Sequence, residues 1–279
     1  MNYQWYPGHM TKAKRMMQEN IKLVDLVIEL LDARIPLSSR NPDIAGLSEN
    51  KSRIVLLNKS DLADPKANSR WMKYFEEQGA YALEINAKTG AGMKSLQKLV
   101  EEACREKLER DQKRGIVNRP VRAMVAGIPN VGKSTFINSF AGKACTKTGN
   151  KPGVTRGKQW IRLNKGLELL DTPGILWPKF EDREVGMNLA FIGSMNDEII
   201  ITEELACDLI HKLEQDYPNA LKDRYKTDAG KTAAETLEDI AESRKCYLKG
   251  EKPDLGKAAA ILIDDFRNGR LGRITLELP

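Results

Sequence analysis

Gly127-Ile-Pro-Asn130-Val131-Gly132-Lys133-Ser134 concentrates more chemistry than any other stretch of the 279-residue chain. Glycines at its two ends free backbone N–H groups to surround an anion, and a helix N-terminus beyond them adds favourable dipole. A lysine then reaches terminal phosphates, and the Ser134 hydroxyl suits Mg²⁺. The pattern follows a short apolar run, Ala123–Ala126, and precedes the helix-like FINSFAG, which is the strand–loop–helix context it requires. Gly127, Asn130, Val131, Gly132, Lys133, Ser134 and Thr135 are therefore candidate nucleotide contacts.

Two further pieces belong with that loop. In KGLELLDTPG, Asp171 ends an apolar strand-like run and Gly174 stands three residues on. Asp171 is suited to Mg²⁺ through water, and the Gly174 N–H to a γ-phosphate. Alone the pair is weak, since Asp and Gly make ordinary turns; behind a strand and downstream of a phosphate loop it is strong. Between the phosphate loop and this pair, NKPGVTRGKQW offers Thr155 as a second Mg²⁺ hydroxyl. Pro152 and Gly153 mark a loop that can bring it into or out of the site.

The base is read elsewhere. The apolar run SRIVLLN ends in Asn58-Lys59-Ser60-Asp61. The Asp61 carboxylate can accept two parallel hydrogen bonds from guanine, which adenine cannot supply. Asn58 would meet the base edge and the Lys59 stem its face. A second turn, Asn86-Ala87-Lys88, offers a backbone N–H for guanine O6. Taken together the pieces specify GTP or GDP.

The base-reading motifs precede the phosphate-reading ones in the chain. With that order, the set resembles the circularly permuted GTPases, a branch of the P-loop GTPase superfamily, over roughly residues 20–178. Adding Tyr6-Pro-Gly-His9-Met10 and the closing run AILIDDFRNGRLGRITLE, the whole chain is similar to the bacterial ribosome-assembly members of that branch. The resemblance implies a GTPase acting in late assembly of the large ribosomal subunit, stimulated by the ribosomal particle, with rRNA and ribosomal proteins as partners. It also implies a helical RNA-contacting module at the C-terminal end. Related GTPases with G-x-P-N-x-G-K-S hold K⁺ through the asparagine, here Asn130. The position where Ras-like enzymes carry a water-positioning glutamine is Ile175, so intrinsic hydrolysis is expected to be low.

His9 is the candidate replacement. A helix over Thr11–Lys22 that feeds a parallel strand over Asp25–Leu31 puts its own N-terminus at the strands' carboxyl ends, where nucleotides bind. His9 there could orient water; it could equally dock on RNA with Trp5 and Tyr6. Lys133 and Thr155 complete the catalytic set.

The elements that must position these residues form an α/β GTPase domain over 1–178, with an N-terminal helical extension over 1–22, and a small all-helical domain over 179–279. Apolar residues at Leu205, Leu209, Ile210 and Leu213 have helical period, TAAETLEDIAESR and LGKAAAILIDDFRNG repeat it, and Gly269 fits a helix stop. Because the chain after Gly174 leaves the sheet, the γ-phosphate-sensing segment becomes a tether to this second domain.

Charge is divided unequally. Residues 1–179 hold 31 Lys/Arg against 18 Asp/Glu, and residues 180–279 hold 14 against 21. From Gln112 to Leu167 twelve cations meet no acid, more than one triphosphate needs, which favours a polyanionic partner. Arg267, Arg270 and Arg273 are the second domain's best phosphate contacts, although its net charge of −7 places more of the RNA contact on the GTPase face. No stretch of about 18 apolar residues, signal core or lipidation signal is seen, so a cytoplasmic monomer without membrane contact is expected. The four dispersed cysteines have no metal-ligand spacing. The competing readings are a GTPase with a protein partner and no RNA, and a nucleic-acid-modifying enzyme under GTPase control. The second domain lacks the residue clusters the latter would need.

Overall fold

The strand Leu26–Asp32 (β1) is buried at every residue, as expected of a strand covered on both faces of a parallel sheet. In the computed structural model, which describes residues 15, 17–116, 119–142, 144–145, 159–163, 166–172, 182–197, 200–227 and 230–279, it lies near the centre of a six-stranded sheet. The other strands are β2 (Ser52–Asn58), β3 (Tyr81–Glu84), β4 (Val121–Ala126), β5 (Gln159–Arg162) and β6 (Leu167–Asp171). Their order is β3-β2-β1-β4-β6-β5, and every neighbouring pair is parallel except β5 with β6.

The order reverses between β1 and β4. From β1 the chain steps outward to β2 and β3; from β4 it goes the other way, to the edge strand β5 and back antiparallel to β6 beside β4. The two runs meet where Leu26–Glu29 pairs with Ala123–Ala126. A crevice opens beyond the carboxyl ends of strands at such a switch point, and β4, which leads into the Gly127–Ser134 loop, ends there.

Helices cover the sheet for identifiable reasons. In α1 (Pro42–Leu47) and α2 (Pro65–Glu77), Asn41 and Asp64 cap the first turn and proline occupies its start. Trp71 and Phe75 of α2 pack with Leu31, Val55 and Leu57. Elsewhere in the sheet core Met17, Ile21, Val27, Ile44, Met124 and Leu170 cluster, and residues 17–21 are helical within the expected Thr11–Lys22 span. Leu96 and Val100 bury one face of α3 (Met93–Ala103), whereas α4 (Arg105–Lys113) buries nothing.

Two compact units result, one of Met1–Glu181 with Glu277–Pro279 and one of Asp182–Leu276. The last three residues thus belong with the sheet. The Glu277 carboxylate accepts from the N–H groups of Leu37 and Ser38 and from the Ser38 hydroxyl, and its carbonyl accepts from Trp71 Nε1 at 3.0 Å.

The second unit contains α5's successors in the chain: after α5 (Lys133–Ala141) come α6 (Arg183–Phe191), α7 (Thr202–Asp216), α8 (Asn219–Tyr225), α9 (Ala233–Ser243) and α10 (Leu255–Arg267). The apolar periodicity read in the sequence is buried: Leu205, Leu209, Ile210 and Leu213 from α7, Leu237 and Ile240 from α9, Leu262, Ile263 and Phe266 from α10. Thr232 and Glu235 form a reciprocal cap at the start of α9. Asp265, 2% exposed, accepts from Arg224, Tyr225 and Arg270 at 2.8–2.9 Å.

Arg267 and Arg270 differ here from their expected role. Arg267 donates to the carbonyls of Ala190 and Phe191 at the end of α6 and forms two bonds with Asp197. Arg270 is bound to Asp264 and Asp265. Both guanidinium groups hold the unit together, so they are not free phosphate contacts. Among the described residues no helix is long and apolar enough to cross a membrane, and no group of three or more His, Cys, Asp or Glu could hold a metal.

Candidate nucleotide site

The loop between β4 and α5 is shaped by contacts that forbid side chains. A Cβ on Gly127 would lie 2.8 Å from the Leu30 carbonyl and 3.0 Å from Val131 Cγ1, so the loop crosses β1 at backbone distance. Gly132, at φ +95°, caps α5, and a Cβ there would stand 2.6 Å from Asn58 Nδ2. The glycine spacing of the motif is thus required by β1 on one side and by the Asn58 amide on the other.

Asn58 and Lys59 join the base-reading turn to this loop. Asn58 is 2% exposed; its Nδ2 donates to the Val131 carbonyl at 2.8 Å and its Oδ1 accepts from the Ala87 N–H at 2.9 Å. One buried amide therefore ties three separate loops at the carboxyl ends of β2, β3 and β4. Lys59, itself at φ +59°, donates to the Asn130 carbonyl at 3.1 Å and to Asp32 at 2.9 Å. Asn130 also sits at φ +59°, a conformation that presents its carbonyl to the Lys59 ammonium.

These bonds bear on two expectations. The sequence gives Asn58 the base edge; in the structure one of its amide N–H groups and its oxygen also hold loops together. The reading also offered the Asn86–Lys88 turn for guanine O6. The Ala87 N–H is bound by Asn58, and the Lys88 and Thr89 N–H groups by Asn86 Oδ1 at 2.9 and 3.0 Å. A guanine O6 at this turn competes with Asn58 for the Ala87 N–H. Asp61 is exposed.

Two residues the sequence reading missed underlie Lys59. Asp32 ends β1, fully buried, and Arg34 grips it through Nε and Nη2, each at 2.8 Å. Burial pushes the Asp32 carboxyl up, but the adjacent Arg34 and Lys59 cations outweigh it and hold it well below the usual carboxylate range. A signal was available: two opposite charges, D-A-R, at the carboxyl end of an otherwise apolar strand.

Lys133, the first residue of α5, is 7% exposed. Burial pulls its ammonium down to about 8, against the opposing attraction of Asp171. Asp171 is 1% exposed at the end of β6, and the neighbouring Thr172 hydroxyl donates to the Val125 carbonyl at 2.9 Å, fixing β6 to β4 beside the loop. The buried Asp171 carboxylate, close enough to Lys133 for their charges to attract, and the Ser134 hydroxyl in the first turn of α5 are hard oxygen donors of the kind that fits Mg²⁺. Ser134 and Thr135 occupy the first turn of α5. His9, Thr155 and Gly174 lie outside the described residues.

A family described as 50S ribosome-binding GTPases matches residues 122–242. Over 280 residues the chain is 46% identical to the ribosome biogenesis GTPase A of Bacillus pumilus, covering 100% of this chain and 99% of the relative. To that of Bacillus cereus it is 45% identical, covering 100% and 95%. Among solved structures, a GDP-bound YlqF superposes with a TM-score of 0.72 at 27% identity, covering 95% of this chain and 99% of the other. A GNP-bound YlqF from T. maritima gives 0.68 at 28%, covering 96% and 98%.

Proposed function

The chain belongs to the ribosome biogenesis GTPase A family, and on that premise we propose that it is a GTP-driven switch in late assembly of the large ribosomal subunit, its hydrolysis stimulated by the ribosomal particle. That it is a P-loop GTPase, turning GTP into GDP and phosphate, follows from the family and the matching GTPase domain. The observation that carries the switch reading is whole-chain similarity: relatives named for ribosome biogenesis align over the second unit as well as the GTPase unit.

Under this reading Asp61 selects guanine, and Asn58 and Lys59 keep the base-reading turn fixed against the phosphate loop. Lys133 places its ammonium against the terminal phosphates, and the loop's N–H groups bind their oxygens. Ser134, Thr155 and Asp171 would hold Mg²⁺, which when bound supplies positive charge to the phosphate oxygens. Asn130 would hold K⁺ by its amide oxygen. Gly174 donates its N–H to the γ-phosphate, and the chain beyond it leads directly into the second unit. Coupling of that kind is typically worth about 1–3 kcal/mol. With Ile175 unable to orient water, His9 takes that task when the particle closes the site. The cell compartment is the cytoplasm.

The test is GTP hydrolysis in potassium and in sodium buffer, with and without purified large ribosomal subunits, over a salt titration. Strong stimulation that fades with salt is expected, and it is lost in His9→Ala without change in nucleotide affinity. Clear GTP binding with no stimulation would overturn the reading in favour of a protein partner without RNA.

A further inference from the structure

The connection between α9 and α10, Arg244-Lys-Cys-Tyr-Leu-Lys-Gly-Glu-Lys252, contradicts its surroundings in charge and in polarity. Residues 180–279 carry a net charge of −7, yet these nine residues hold four cations and one acid. Tyr247 and Leu248 are 49% and 56% exposed; they are adjacent, and the other large exposed apolar side chain among the described residues of this unit, Ile201, is far away in sequence. Lys245, Lys249 and Lys252 are exposed around them.

The segment is held by a set of backbone hydrogen bonds. Cys246, 1% exposed, plugs its base into the helical core. Its N–H donates to the Ala241 carbonyl at 2.8 Å and its carbonyl accepts from the Asp254 N–H at 2.9 Å. The Leu248 N–H donates to the Lys252 carbonyl at 2.8 Å, Tyr247 pairs with Pro253, and Asp254 caps α10 through the Lys257 N–H at 2.9 Å. Lys245, Gly250 and Glu251 take left-handed backbone, at φ +54°, +87° and +59°. Two of the three are not glycine, which is uncommon and is maintained only where the surroundings over-determine it. The result is a short hairpin with an aromatic and an aliphatic side chain at the surface and three lysines around them.

We propose that this hairpin is an RNA-docking finger: Tyr247 stacks on an unpaired nucleotide while Lys245, Lys249 and Lys252 contact the flanking phosphates. The lysines select a polyanion, and the aromatic ring selects an unstacked base, a combination that favours single-stranded loops over duplex. The inference rests on the reading that the chain works on a ribosomal particle, and assigns the second unit's contact to a place its overall acidity hides.

The experiment measures binding of the full-length protein, loaded with a non-hydrolysable GTP analogue, to purified large ribosomal subunits and, separately, to a U-rich 20-nucleotide RNA. Tyr247→Ala is expected to weaken both roughly tenfold and Tyr247→Phe to retain binding. Lys249→Gln and Lys252→Gln should each reduce the salt slope on the oligonucleotide by about 0.7. Basal GTP hydrolysis in all four variants should match the parent, which verifies folding. After ultraviolet irradiation and nuclease digestion, the Tyr247 peptide should carry a nucleotide. Variants that bind both targets like the parent overturn the finger. A Tyr247 crosslink to a ribosomal protein also overturns it, in favour of protein docking. If the parent binds the oligonucleotide in a Tyr247-dependent way but not the subunit, the finger stands and the assembly reading falls. Binding to neither overturns both.

Discussion

Gly132 and Asn58 stand so close that a Cβ on residue 132 would lie 2.6 Å from the Asn58 Nδ2, in a backbone conformation at φ +95° that L residues rarely adopt. The phosphate loop and the base-reading turn are therefore in contact at their most constrained atoms. Gly132→Ala must move one or the other. It should lower unfolding stability by about 1–3 kcal/mol and GDP affinity by more than tenfold. Thermal unfolding and fluorescent-nucleotide titration would read the two effects; an unchanged affinity would show that the contact is not maintained in solution.

Asn58 and Asp61 sit in one motif and should fail differently. Asn58→Ala leaves the Val131 carbonyl and the Ala87 N–H without their bonds to the side chain, a loss of about 2–4 kcal/mol in stability. Residual binding should still prefer guanine. Asp61→Asn, at an exposed position, should change stability by less than about 0.5 kcal/mol but shift preference toward xanthine. Competition of GDP against XDP on both variants separates holding from reading.

Asp32→Asn tests the buried support of Lys59. Removing the carboxylate leaves the Arg34 guanidinium, 1% exposed, without that counter-charge, at a cost of about 3–5 kcal/mol. The sign with pH follows from the depressed carboxyl. Its stabilisation is present above the ordinary value near about 4 and is lost as pH falls toward the lower folded value. Urea unfolding should therefore show a gap between parent and variant that is full at pH 7 and narrows below about pH 4.

Lys133 gives nucleotide binding a pH dependence in the opposite range. In the free protein its ammonium is lowered to about 8, so it loses its proton as pH rises through that value. Phosphate oxygens favour the charged form and raise its pKa on binding. Between these two values the complex holds more protons than the free protein. Affinity should fall above about pH 8, by up to about tenfold per pH unit. Calorimetry at pH 8.5 in buffers of different ionisation enthalpy should detect proton uptake; its absence would show that Lys133 stays charged when buried.

Arg267 distinguishes scaffold from phosphate contact. With its guanidinium spent on Ala190, Phe191 and Asp197, Arg267→Ala should destabilise the second unit by about 2–4 kcal/mol. It should leave the salt slope of RNA binding unchanged. A normal melting temperature with a reduced slope would return it to the role read from the sequence.

What the sequence made legible was whatever acts within one local stretch. The Gly127–Ser134 loop, the Asn58–Asp61 turn and the apolar faces of α7, α9 and α10 each carry their signal in consecutive or helically spaced residues. The order of motifs made the permuted fold legible too. What escaped were relations between residues distant in the chain. Nothing in the local sequence around Asn58 says that its amide will be spent on Val131 and Ala87, because those partners are set by which strands become neighbours. Arg267 looked like a surface cation for the same reason: Asp197 and the end of α6 lie some seventy residues away. Asp32 and Arg34 escape notice although only Ala33 separates them, since an isolated D-A-R reads as a turn until β1 is placed against β2 and β4.

The bond from Asn58 to Val131 spans 73 residues, and it has a temporal meaning as well as a spatial one. A ribosome adds about 5–20 residues per second, so the base-reading half waits roughly 4–15 s for the loop that completes it. In the unpermuted order the phosphate loop is made first; here the guanine-selecting turn is made first and must remain compatible with folding while its amide has no carbonyl to bind. The contact between the Asn58 turn and the Gly127–Ser134 loop is therefore made only after β4 has been synthesised and has joined β1.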